Sequence, residues 1–128
     1  VLLQQVIAHS FYVGNSNRTC KGKTIPALYW QTLVNGRPQQ EELLSGVEQL
    51  QLQFAIDSDQ DGKVDKYADA NNVSNWIDVL AIKVELLVRS ECPISGYIAN
   101  TTYSIGDIDY QVNDNFMRAY YQHSFNLN

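Results

Sequence analysis

At 128 residues, with 45% hydrophobic and 18% charged residues, the chain is long enough to bury a core and too apolar to be disordered. Its net charge of −5 and nine scattered Lys and Arg residues exclude a nucleic-acid-binding surface. No stretch approaches the ~18 consecutive apolar residues of a membrane-spanning helix. One globular domain over residues 1–128 is expected. A start on Val1-Leu2-Leu3 without Met points to a fragment or processed product of a longer protein.

In chain order, Val1 to Val13 is apolar enough for a strand, and its first part reads equally as the end of a helix. Ala27 to Val34 reads as a strand, and Asn35-Gly36 after it is a tight-turn signal. Glu41 to Gly46 is expected to form one helical turn that Gly46 stops. From Gln49 to Ile56, Gln49, Gln51 and Gln53 alternate with Leu50, Leu52, Phe54 and Ile56. A two-residue period predicts a strand with one greasy face and one largely wet face. Asn71 to Ile77 reads as a loop or helical turn that delivers Trp76 to a packed surface.

Val79 to Val88 is a second strong strand, with Leu80, Ile82, Val84, Leu86 and Val88 on one face and Lys83, Glu85 and Leu87 on the other. Glu91 to Asn115 is rich in Gly, Asn, Asp, Thr and Ser and reads as loops with one short strand. Arg118 to Leu127 closes the chain as a strand in which Ala119, Tyr121, Phe125 and Leu127 share a parity that His123 interrupts. These segments predict an antiparallel sheet of about five or six strands, an ordinary size. One face needs a cover. No convincing amphipathic helix supplies it, so either two sheets pack together or a covering helix lies outside this sequence.

Cys20 and Cys92 form no CxxC pair and have no metal-ligand pattern beside them. In an exported protein they would pair; in the cytosol they would be two buried thiols. Both sit in loop-like contexts, where free thiols are a liability, which favours a disulfide.

The chemistry concentrates in Asp57-Ser58-Asp59-Gln60-Asp61-Gly62-Lys63-Val64-Asp65. Asp57, Asp59, Asp61 and Asp65 fall at relative positions 1, 3, 5 and 9, and Gly62 at position 6. This is how a short loop wraps oxygens around one calcium ion, with the Lys63 carbonyl available at position 7. A plain polar turn would need only Asp61-Gly62, and unneutralised carboxylates at this spacing repel one another. An EF-hand is not expected, because a strand precedes the loop and position 12 is Ala68 instead of a bidentate Glu. The remaining ligand is left to Asp69, water or a distant residue.

His9 and His123 stand alone on strand-like segments, without a partner nucleophile or a phosphate-binding glycine loop. Structural roles are expected for them, and no enzyme. Eight tyrosines and two tryptophans are expected to fill a sheet core and its rim.

Taken in order, several segments resemble the PilW family of type IV pilus minor pilins. They are Phe11-Tyr12-Val13-Gly14, Ile25-Pro26-Ala27-Leu28-Tyr29, and the stretch from Glu42 through Gly46-Val47-Glu48 into the aspartate loop and Tyr67. Val73-Ser74-Asn75-Trp76-Ile77-Asp78-Val79 and the closing strand from Asp114 to Asn128 complete the series. The resemblance implies an α+β, mostly β, pilin-like head built on an antiparallel sheet with few short helices. The resemblance further implies a long N-terminal helix that is expected to be absent from this chain. It also implies a non-catalytic role in priming pilus assembly and in the pilus tip complex, with other minor pilins and a tip adhesin as partners. Membrane attachment would be only through the missing helix. Localisation would be the inner membrane and periplasm before assembly, then the extracellular pilus. An oxidising periplasm that equilibrates with external calcium agrees with a disulfide and a structural calcium site. Neighbouring readings are a minor pseudopilin of a type II secretion system and a calcium-dependent adhesion or carbohydrate-binding module.

Overall fold

The computed structural model describes residues 9–127. The strand or helix end expected for the first eight residues lies outside them. Among the described residues nine strands form three antiparallel sheets. The first is a meander of β1 (His9–Cys20), β2 (Lys23–Val34) and β3 (Arg37–Ser45) in the order β1-β2-β3. The second joins β4 (Val47–Ile56), β5 (Lys66–Ala68), β6 (Val79–Arg89) and β9 (Arg118–Asn126) in the order β5-β4-β6-β9. The third is a hairpin of β7 (Ala99–Ile105) and β8 (Ile108–Asp114). The helical component is two 3-10 turns, Ala70–Asn72 and Trp76–Asp78. Among the described residues no helix is long and apolar enough to cross a membrane.

Three expectations are corrected. The sheet content is nine strands in three sheets, not five or six in one. Glu41 to Ser45 is strand, not helical turn, with Glu41 opposite Trp30 and Glu42 opposite Tyr29. Long cross-strand partners on β2 outweigh the weak local helical preference of Glu-Glu-Leu-Leu. Glu91 to Asn115 contains two strands, not one, because Gly106-Asp107 turns Ile105 onto Ile108 and zips the flanks.

Gly46 is the corner where the chain passes from the first sheet to the second. Its φ is +88°, and a Cβ there would lie 2.4 Å from the Arg89 carbonyl oxygen. Its N–H donates to Pro26 O (2.7 Å), and its carbonyl accepts from Arg89 N (2.8 Å). One residue without a side chain thus satisfies backbone groups of both sheets. A Cys20–Cys92 disulfide ties the β1–β2 turn to the loop after β6, with Cα atoms 5.1 Å apart. The Arg89 guanidinium donates to Thr24 O (2.6 Å), a second tie between the sheets.

The burial of the second sheet is the reverse of the simple alternation rule. Gln49, Gln51 and Gln53 pair with Leu87, Glu85 and Lys83, forming the face expected to be wet. The β7–β8 hairpin covers it. Gly106 sits against the Gln51 side chain and donates its N–H to Glu85 (3.0 Å). Leu87, Ile105, Val112 and Phe116 are buried there, with Leu87 and Ile105 at 0% exposure. The greasy face of Leu50, Leu52, Ile82, Val84 and Leu86 instead lines an apolar groove of ≈ 470 Å³, flanked by Phe11 and Leu28 from the first sheet. Leu52 is 46% exposed there.

The covered face is polar and largely satisfied, Arg89 Nε being its one buried side-chain polar atom without a hydrogen-bond partner among the described residues. Glu85 accepts from the Tyr120 hydroxyl and from Gly106 N, and Lys83 lies 3.5 Å from it. Burial and the Glu85 carboxylate push the Tyr120 hydroxyl up to about 12. Arg118 bonds Glu48 and forms a bidentate pair with Asp114 (2.7 and 2.5 Å). Tyr110 donates to Glu48 from the hairpin (3.3 Å). Such networks hold a polar layer in place because every member has a partner.

Candidate metal centre

The aspartate loop is the connection between β4 and β5. Ile56 pairs with Lys66, so residues 57 to 65 must turn the chain back within one hairpin. Asp65 N donates to Ile56 O (2.8 Å), closing the base. Ser58 N donates to the Asp65 carboxylate (2.8 Å), so Asp65 locks the two ends together. Gln60 and Gly62 have φ of +59° and +89°, the left-handed positions that fold the loop inward.

Inside the loop, backbone N–H groups aim the carboxylates. Asp57 is buried, and its two oxygens accept from Asp61 N (3.1 Å) and Gly62 N (2.8 Å). Asp59 accepts from Asp61 N (3.2 Å), and Asp61 from Lys63 N (2.8 Å). One oxygen each from Asp57, Asp59 and Asp61 falls within 4.8 Å of the others. An ionised carboxylate oxygen that accepts one N–H keeps a lone pair for a cation. Three converging carboxylates form an all-oxygen donor set of the kind hard divalent cations take, so these residues fit calcium.

The electrostatics point the same way. The Asp61 N–H favours the ionised form of Asp59, yet its carboxyl is held above the ordinary range. Partial desolvation, the Asp61 and Asp65 charges and the Asp57 side chain outweigh that hydrogen bond. The loop crowds negative charge that a cation would relieve.

The other ligands expected from the spacing stand differently. The Asp65 carboxylate accepts from Ser58 N, and Lys63, whose carbonyl is the expected donor, gives its N–H to Asp61. Asp69, the candidate for the last ligand, is not among the three converging carboxylates. Its carboxyl is held above its ordinary range first by the neighbouring Asp107 carboxyl at the β7–β8 turn and then by desolvation. Asp78, not singled out by spacing, supports the loop from outside. Its carbonyl accepts from Asp57 N (2.8 Å) and its carboxylate from the Gln60 amide (3.3 Å). A residue acting across a tertiary contact leaves no local sequence signal.

Trp76 stands beside this support, on the 3-10 turn ending at Asp78. Its ring meets Phe54 edge to face at 4.9 Å, yet it remains 56% exposed. Ile77 next to it is 76% exposed. The histidines are placed on aromatic neighbours. His9 stacks on Trp30 with centroids 5.3 Å apart, and His123 meets Phe125 edge to face at 4.5 Å.

Comparison with known proteins finds one family. The sequence model of PilW, described as Type IV Pilus-assembly protein W, matches residues 10–128. No curated protein and no solved structure matches the chain.

Proposed function

Because the chain belongs to the PilW family of type IV pilus-assembly proteins, we propose that it is a non-catalytic minor pilin head that helps prime pilus assembly and contributes to the tip complex. The family match over residues 10–128 is the observation that carries this reading. Its partners are other minor pilins and a tip adhesin. It resides at the inner membrane and periplasm, then on the extracellular pilus. The disulfide Cys20–Cys92 supports an oxidising compartment.

In the same reading, the loop from Asp57 to Asp65 holds one structural calcium ion. Asp57, Asp59, Asp61 and Asp65 would supply carboxylate oxygens and Lys63 its carbonyl, and Asp65 also holds the loop ends through Ser58 N. Bound calcium would neutralise the crowded carboxylates and fix the β4–β5 connection. The chain's own residues already orient the donors through backbone N–H groups, which limits the ordering cost of binding.

Deletion of the gene, complemented with the full-length protein or with none, tests the assembly role. Loss of surface pili, restored by complementation, and cross-linking of the protein to minor pilins in sheared pilus fractions are expected. Normal piliation in the deletion strain would overturn the reading. A loss of protein secretion with piliation intact would assign the chain to a secretion pseudopilus instead.

A further inference from the structure

Among the described residues β9 pairs only with β6, so it is an edge of the four-stranded sheet. Every residue from Ala119 to Asn126 is exposed. An edge presents unpaired N–H and C=O groups, and proteins normally guard it with charge, proline, irregularity or short length. The other outer strands of the two larger sheets are guarded. β3 carries Arg37, Pro38, Glu41 and Glu42. β1 carries Arg18 and a register break between Asn15 and Thr19. β5 has three residues.

β9 has none of these devices. Its one charged residue, Arg118, is turned inward, with its side chain 2% exposed and paired to Glu48 and Asp114. From Ala119 to Asn126 there is no proline, glycine, Lys, Arg, Asp or Glu. In a chain of net charge −5 this neutral stripe would let two copies approach with little repulsion.

We propose that β9 pairs with β9 of a second copy of this chain, antiparallel about a two-fold axis at Gln122. The axis stands normal to the sheet, so each face stays on its own side. Gln122 then faces Gln122 of the second copy, Tyr121 faces His123, Tyr120 faces Ser124, and Ala119 faces Phe125. Around the central Gln122 pair, each further pair sets a ring against a ring or against a small side chain, and no like charges oppose each other. This is an isologous contact that closes on itself. Phe125 borders the apolar groove, so the pairing would bring the two grooves side by side on one continuous sheet.

Sedimentation of the purified chain from micromolar to millimolar concentration tests this, read beside hydrogen exchange. A concentration-dependent monomer–dimer equilibrium is expected, with β9 amides exchanging more slowly at high concentration. Gln122→Lys sets like charges opposite each other on the axis and is expected to weaken the dimer at least tenfold. Within one copy that Lys would lie opposite Glu85, so the fold tolerates it. Gln39→Lys on β3 is expected to leave the dimer unchanged. A chain that stays monomeric at millimolar concentration overturns the proposal. So does a dimer that ignores Gln122→Lys, or β9 exchange that is independent of concentration.

Discussion

At Gly46 one methyl group separates a folded corner from a clash. A Cβ there would sit 2.4 Å from backbone, which cannot rotate aside, and φ is +88°. Gly46→Ala is expected to cost about 3 kcal/mol, combining left-handed strain and steric repulsion. Urea denaturation of the two proteins checks it; a loss below ~1 kcal/mol would mean that the corner relaxes. At the aspartate loop the expected effect depends on the ion. Calcium is expected to raise the melting temperature of the wild type, and Asp59→Ala is expected to bring it down to about the chelated wild-type value. A wild-type melt that ignores calcium would remove the site. Spacing singles out Asp57, Asp59, Asp61 and Asp65 with the Lys63 carbonyl, and the structure brings the first three carboxylates together. Asp78 is invisible to spacing: it reaches Asp57 N and Gln60 only through the fold of the β5–β6 connection.

Elements are legible where side-chain period decides them. β4 and β6 alternate clearly and β9 more weakly, and the positions of all three agree closely with the expectation. β3 departs from the expected helical turn because its residues from Gln39 to Glu42 are polar on both faces, and only the pairing with β2 makes them strand. β7 and β8 are masked by Thr, Ser and Asn, although Ile105-Gly106-Asp107-Ile108 is a hairpin turn between alternating Tyr103, Ile105, Ile108, Tyr110 and Val112. The disulfide links elements 72 residues apart. In the chain-entropy model it contributes roughly 4 kcal/mol. Reduction, or replacing both cysteines with alanine, is expected to lower the melting temperature by roughly 10–20 °C. A calorimetric shift of under about 3 °C would mean that the Gly46 corner and the Arg89–Thr24 contact already hold the two sheets together.

For the molecule as a whole, stability against pH is set by two opposed kinds of carboxylate. The Arg118 guanidinium holds Asp114 below its ordinary range, against partial desolvation. The unfolded chain therefore binds that proton first, and this contribution is lost as pH falls below about 4. Asp69 is raised, chiefly by the neighbouring Asp107 carboxyl. There the folded state binds the proton more readily, so the pair favours folding at low pH and loses that advantage as pH rises through the raised value. Asp107→Asn is expected to raise the melting temperature at pH 7 and leave it unchanged near pH 3; an equal shift at both values would refute the pairing. By itself the sequence determined the β class, the main strands and the aspartate loop, which follow from local period and spacing, and the family resemblance, which rests on the order of its motifs. Tertiary structure alone decided that a polar hairpin covers the face with the glutamines while the greasy face lines a groove. Burial depends on what packs against a face, and the Glu48, Glu85 and Arg118 networks that make the polar face buriable join residues far apart in the chain. The calcium-like string of aspartates is thereby placed as the hairpin connection between β4 and β5, braced from outside by Asp78.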